Sequence, residues 1–204
     1  MTTMPGLVPN FPAALRMDGR SFLVLGAGHG LGRQVAHALR QFGAAIFCCD
    51  RDADAAEQVA FEVSGTPLRG PAASAAQLRE LLASLTQQGL TMHGVIDLLE
   101  DGHQRACAER ARAAGQHCAQ QGSGTLVLIA NGGNLAAVEG RFAAVVTEFA
   151  QEFADDGVRV NGVVPASLAE SEAAGIVAFL CSDLGQPLSG QVLVASAVGA
   201  ETAV

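Results

Sequence analysis

Four glycines at alternate positions, Gly26, Gly28, Gly30 and Gly32, follow directly on the apolar run from Ser21 to Leu25. Such a run lets a strand turn sharply into a helix, brings backbone N–H groups close to a pyrophosphate, and lets the helix pack tightly on the strand. A second apolar run ends at Asp50, eighteen residues beyond Gly32. A carboxylate there accepts hydrogen bonds from ribose hydroxyls and repels a 2′-phosphate, which favours NAD over NADP, although Arg51 pulls the other way. Gly26, Gly28, Gly30, Leu31, Gly32 and Asp50 are therefore the candidate cofactor-binding residues. The same glycines are needed to fold the turn whether or not a dinucleotide arrives.

Other reactive side chains form weaker patterns. His103 and Cys107 lie one helical turn apart, with His117 and Cys118 further on, but the spacing fits no zinc pattern, so no metal is expected. Cys48 and Cys49 must point to opposite faces of a strand, which suits packing better than redox chemistry. His29 lies in the glycine turn, where exposure explains it as well as a phosphate does. Glu100 and Glu139 are candidates for an acid/base pair in some new chemistry, yet no nucleophile or electrophilic stabiliser accompanies them.

The residues that are missing decide more. The chain of 204 residues contains no Tyr, no Trp and no Lys, and all twelve of its basic residues are Arg. Mechanisms that need a phenol or an amine side chain are excluded. A formal charge of -8 leaves no basic footprint for nucleic acid or for an anionic membrane surface.

These residues must be positioned by a regular framework. Short β-branched or apolar runs at 21–26, 44–50, 94–99, 124–130, 158–164 and 190–196 alternate with Ala-rich helical stretches, the signature of right-handed crossovers and a parallel sheet. Leu31, Val35, Ala38, Leu39 and Phe42 fall on one stripe of a first helix, with Gly43 as its stop. The stretch 136–153 carries Val138, Phe142, Val145, Val146, Phe149 and Phe153, plus enough Ala to look apolar on more than one side. Residues 1–19, with Pro5, Pro9 and Pro12, read as an extended tail before a single domain at 20–204. No apolar run approaches the roughly 20 residues of a membrane span, and the prolines break any signal-peptide core. Five cysteines, two of them adjacent, make a poor disulfide framework, so reduced thiols and a cytoplasmic location are expected.

At this point the chain resembles the short-chain dehydrogenase/reductase family. The resemblance rests on Gly26-x-x-x-Gly30-x-Gly32, on Asp156-Gly157-Val158-Arg159-Val160-Asn161-Gly162-Val163-Val164-Pro165, and on Ser189-Gly190-Gln191-Val192-Leu193. It implies an α/β fold, a Rossmann-like three-layer doubly wound parallel sheet. It also implies a Tyr that moves a proton at the substrate oxygen, a Lys that depresses the phenol, and a Ser and an Asn completing the site. Counting back from Asn161 puts Leu135 at the Tyr position and Glu139 at the Lys position. Arg141 lies close, but a guanidinium stays protonated and cannot restore the pair. Leu135 comes only four positions after Asn131, so the loop for the Ser is cut short, and 101–121 contains no Asn. The family's Asn-Ala-Gly reads Leu98-Leu99-Glu100, its adenine-flanking Asp falls near Gly70, and Ala166 leads within a few residues to the next helix, so the substrate lid is deleted.

No catalytic residue is therefore assigned, and NAD is expected to be held weakly or as a vestige. The resemblance implies a non-catalytic subunit of a hetero-oligomer, paired with a catalytically intact relative through 101–121, 133–154 and 186–204, the relative acting on a hydroxyacyl-type substrate. The heteromeric dehydrogenase of anaerobic toluene breakdown, which pairs an active with a degenerate subunit on a hydroxyacyl-CoA, is one such arrangement. The alternative is an NAD(H)-binding sensor without turnover.

Overall fold

Alternation of apolar residues along short strands, each followed by a helix, builds the molecule seen in the computed structural model, which describes residues 10–69, 72–99, 104–130, 135–165 and 170–195. The side chains of residues 104–105 and 135–139 lie outside that description. The strands are β1 (Ser21–Leu25), β2 (Ala45–Cys49), β3 (Thr66–Pro67), β4 (Gly94–Leu99), β5 (Gly124–Ala130), β6 (Val158–Pro165) and β7 (Val192–Ala195). The helices are α1 (Phe11–Ala14), α2 (Gly30–Gln41), α3 (Ala53–Glu62), α4 (Ala75–Gln87), α5 (Gln104–Gln120), α6 (Leu135–Glu152) and α7 (Glu170–Cys181).

All seven strands run parallel in the order β3-β2-β1-β4-β5-β6-β7. The chain winds outward from β1 in one direction and from β4 in the other, so the two halves part between β1 and β4, where open α/β sheets place their ligands. The period-2 rule sorts each strand between two cores. Phe22, Val24, Ile46, Cys48, Val127 and Ile129 pack with α2, α3 and α7. Leu23, Leu25, Phe47, Cys49, Leu126 and Leu128 pack with α4, α5 and α6. Helices thus cover both faces, and the expected three-layer α/β sheet is present. All five cysteines are buried as thiols. Burial pushes Cys48, Cys118 and Cys181 up to about 12 and Cys49 up to about 11.

Three expectations need correction. Only six strands are legible from apolar runs, because β3 has just two exposed residues, Thr66 and Pro67, and carries no apolar signal. The tail is not extended throughout its described part. Asn10 caps a single turn, Phe11–Ala14, by accepting from the Ala13 N–H, and Pro12 sits in the first turn, where its missing N–H removes no helical bond. Met17 is fully buried, and its N–H donates to the Phe42 carbonyl at 2.7 Å. Finally, the described side chains of 136–153 are not apolar on more than one side. Phe142, Phe149 and Phe153 lie in this chain's own core with Val146, while Ala144, Thr147, Glu148 and Gln151 face outward. The three phenylalanines are accounted for by this chain's own core.

Four residues, 131–134, separate β5 from α6, and four, 166–169, separate β6 from α7. Connections this short have no room for a substrate-covering segment. No helix among the described residues is long and apolar enough to cross a membrane.

Candidate functional site

The glycine turn begins where β1 ends. Gly26 adopts φ +84°, and the N–H groups of Gly26 and Ala27 both donate to the Cys49 carbonyl at 2.9 and 3.1 Å, tying the turn to the end of β2. A Cβ at Gly32 would lie 1.8 Å from the Gly26 carbonyl oxygen, so only glycine lets α2 return this closely over the turn. Gly30, at φ +51°, is the first residue of α2. Leu31 instead turns into the core with Val35 and Leu39.

Asp50 stands immediately beyond β2. Its Oδ2 accepts from the Gly28 N–H at 2.8 Å and its Oδ1 from the Asp52 N–H at 3.0 Å. Gly28 is confined between Asp50 and Ala55, whose Cβ would lie 2.8 Å from an added Cβ. Sequence spacing brings Gly26, Gly28, Gly30, Gly32 and Asp50 together as expected, and the structure gives Asp50 an internal duty as well: each carboxylate oxygen holds a backbone amide of the cleft wall.

The electrostatics of the helix ends differ across the fold. Asn10, Asp52 and Ser74 cap α1, α3 and α4 with their side chains, and Ser74 forms a reciprocal capping box with Gln77. His29, in the cap position of α2, makes no such bond. The positive end of α2 is thus left uncapped at the turn, as an anion site requires. His29 leans toward Asp52, with Nε2 3.5 Å from Oδ2, both well exposed. The Ala55 N–H, and then His29, hold the Asp52 carboxyl below its ordinary range.

Against this, two features oppose a dinucleotide. The Glu170 Oε1, at the start of α7, lies 3.0 Å from the place of a Cβ on Gly30, which puts a carboxylate where a pyrophosphate would need the helix end. Leu98 stands over Gly26, its Cβ 3.3 Å from an added Cβ there. Among the described residues, a recess beside Asp50, walled by Gly26, Cys49, Arg51, Ala72 and Arg110, measures 60 Å³. The adenosine side has the right residue types, whereas the pyrophosphate side carries a charge of the wrong sign.

Sequence reasoning missed the group that dominates the floor of this cleft. Asp97, fully buried in β4, accepts from Arg110 of α5 through Nη2 to Oδ1 at 2.6 Å and Nε to Oδ2 at 3.0 Å. Arg110 also donates to the Leu98 carbonyl at 3.2 Å and the Ala72 carbonyl at 3.5 Å. A lone Asp inside the apolar run 94–99 signals a buried partner, but nothing local selects Arg110 over Arg105 or Arg112.

Other candidates separate. Glu100 and His103 lie outside the described residues, and the side chains of Leu135 and Glu139 lie outside them too, although both positions fall within α6. Cys107, His117 and Cys118 are buried in α5, and the His117 Nε2 has no hydrogen-bond partner among the described residues. Cys48 and Cys49 belong to opposite cores. Asn161 fastens the approach to β7, donating to the Leu188 carbonyl at 2.9 Å and accepting from the Gln191 N–H at 3.1 Å.

Comparisons with known proteins agree with this geometry. Residues 20–99 match the family model for short chain dehydrogenase. No curated protein matches the sequence. Among solved structures, a hydroxysteroid dehydrogenase from Escherichia coli is similar at 22% identity and TM-score 0.79, covering 92% of this chain and 99% of its own. A 7α-hydroxysteroid dehydrogenase complexed with NADH and a 7-oxo bile acid is similar at 20% and 0.77, covering 90% and 95%. A gluconate 5-dehydrogenase from Burkholderia cenocepacia, in complex with NADP and tartrate, is similar at 20% identity and TM-score 0.75, covering 92% of this chain and 97% of its own. Residues 20–99 thus carry the sequence pattern of the short-chain dehydrogenases, and the chain as a whole shares the fold of these solved structures.

Proposed function

We propose that the whole chain is a degenerate short-chain dehydrogenase that serves as a non-catalytic subunit beside a catalytically intact relative, in a hetero-oligomer acting on a hydroxyacyl-type substrate. One observation carries the reading: the sequence contains no Tyr and no Lys. A phenol that moves a proton at neutral pH needs both its own O–H and a cation to lower its pKa, and neither can be supplied from this chain. The short connections at 131–134 and 166–169 add to this, since they leave neither a catalytic loop nor a cover. The segments proposed for contact are 101–121, 133–154 and 186–204. On α6 the surface available to a partner is the small and polar face of Ala144, Thr147 and Gln151.

Expressed alone, the protein is expected to show no NAD-dependent oxidation of hydroxyacyl thioesters. Co-expressed with an intact family member carrying Tyr and Lys, it is expected to co-purify and to raise that member's stability or turnover. A monomer that ignores every such relative overturns the reading.

A second reading is an NAD(H)-binding sensor without turnover. The uncapped N-terminus of α2 and the position of Asp50 favour it. Calorimetric titration with NADH separates the two. Saturable binding that changes the oligomeric state supports the sensor, and no heat at millimolar cofactor removes it.

A further inference from the structure

The opposite ends of the strands, away from the glycine turn, enclose a second concavity of 440 Å³. It lies among Arg20 before β1, His93 before β4, Ser123 and Thr125 at the start of β5, Arg159 of β6 and Gln186 beyond α7. That volume falls in the range of roughly 300–1,000 Å³ typical of small-molecule sites.

The chemistry of the lining is one-sided. The half-buried Arg159 donates through Nη1 to the carbonyls of Leu180 and Gly185, at 3.0 and 2.8 Å, and through Nη2 to the Thr125 Oγ1 at 2.6 Å. Its Nε–H and one Nη2 hydrogen remain without a partner among the described residues. Asp183, the carboxylate that bears on Arg159, is already hydrogen-bonded to Arg20. One guanidinium charge is therefore left over in the cavity of a chain whose net charge is -8. His93 adds a donor. Its Nδ1 accepts from the Ser21 N–H at 3.0 Å, so the neutral ring carries its hydrogen on Nε2. Burial and the nearby Arg20 hold this imidazole below its ordinary pKa, keeping it neutral. Ser123 contributes a hydroxyl with no hydrogen bond among the described residues, and Phe22 supplies an apolar wall.

We propose that this cavity binds a small organic oxyanion, a carboxylate or a phosphate ester, whose charged group is held by Arg159 with Arg20 and His93 and whose carbon part lies against Phe22. Desolvating part of a guanidinium without a carboxylate is costly, and an oxyanion that accepts from its two remaining hydrogens offsets that cost. The site shares no residue with the glycine turn and stands or falls independently of the cofactor.

The test is calorimetric titration of the full chain with sodium phosphate and with sodium citrate, each compared with sodium chloride at matched ionic strength. Saturable binding of at least one is expected. Phosphate alone identifies a phosphate ester as the ligand class, and citrate alone a carboxylate. Ser123→Glu puts a carboxylate at the exposed rim without removing an internal hydrogen bond, and it is expected to weaken binding by roughly tenfold or more, that is, about 1.4 kcal/mol. Arg159→Gln is expected to weaken it at least as much, and Ser123→Glu serves alone if that variant does not fold. Glu170→Gln, at the far end of the sheet, should leave this binding unchanged. Heats that chloride reproduces, or equal binding by Ser123→Glu, overturn the proposal.

Discussion

Asp97 and Arg110 face each other across the floor of the cleft, joined by two hydrogen bonds of 2.6 and 3.0 Å with neither side chain more than 8% exposed. The pair links the sheet to α5, and through the Ala72 carbonyl it also reaches the segment leading into α4. Breaking one partner of such a pair strands a charge in the interior. Arg110→Met is therefore expected to cost about 3–5 kcal/mol, while the double change Asp97→Leu with Arg110→Met recovers much of that loss. A double-mutant cycle by urea denaturation checks both. A single-variant loss no larger than that of a surface change would show that the pair does not hold the floor.

The glycine turn separates folding from binding. Gly32→Ala would force a Cβ to within 1.8 Å of a carbonyl oxygen, so it should prevent α2 from docking and abolish the cooperative transition in circular dichroism. Glu170→Gln removes the carboxylate beside Gly30 without touching the fold. It is expected to strengthen NADH binding by roughly fivefold, the scale of about 1 kcal/mol at a helix end. Unchanged affinity in that variant would mean that Glu170 does not oppose the cofactor.

On α6, one face serves this chain and the other is available to a partner. Phe149→Ala empties a fully buried site that also lies under Arg112, whose guanidinium carbon stands 4.8 Å from the ring centroid, and should cost about 3–5 kcal/mol. Ala144→Arg changes only an exposed position, so stability should move by no more than about 0.5 kcal/mol. Pull-down with the intact relative is expected to fail for Ala144→Arg, and retained pairing would move the contact elsewhere.

Two histidines set the acid response. Burial holds His93 and His117 below the ordinary value of 6.5, with Arg20 adding to the effect at His93. The unfolded chain therefore takes up these protons first, and stability falls as pH drops below about 6.5 toward the lower folded values. The carboxylates of Asp18, Asp52 and Glu62, held low by Arg16, by the Ala55 N–H and chiefly by Gln58 and His37, lose their contribution only in more acid solution. His117→Leu also removes a buried nitrogen with no partner, so the slope between neutral pH and pH about 5 should become shallower. Thermal melts across that interval test the sign.

Much of the fold was legible because it rests on local pattern. The stripe of Leu31, Val35 and Leu39 lies on one core, and the strand ending at Asp50 meets the glycine turn through the Gly28 N–H. What could not be read depends on distant pairing. β3 exists only because Thr66 and Pro67 lie beside Phe47 and Cys48. The Arg110 partner of Asp97 is fixed by helix rotation, and Glu170 reaches Gly30 from the far end of the chain. The cavity at Arg159 assembles four separate strand ends, none of which carries a motif. The alanines of α6 misled for a related reason: composition counts Ala144 as apolar but does not say that it faces outward beside Thr147 and Gln151.

The burial of every thiol has a practical consequence. Cysteine reacts as the thiolate, and groups pushed up to about 11 or 12 offer almost none at neutral pH. Four of the sulfurs therefore act as silent reporters on both sides of the sheet: Cys48 and Cys181 in the core shared with α2 and α7, Cys49 and Cys118 in the core shared with α4 and α5. An alkylating reagent followed by mass spectrometry would record which layer opens first, with no label added to the chain.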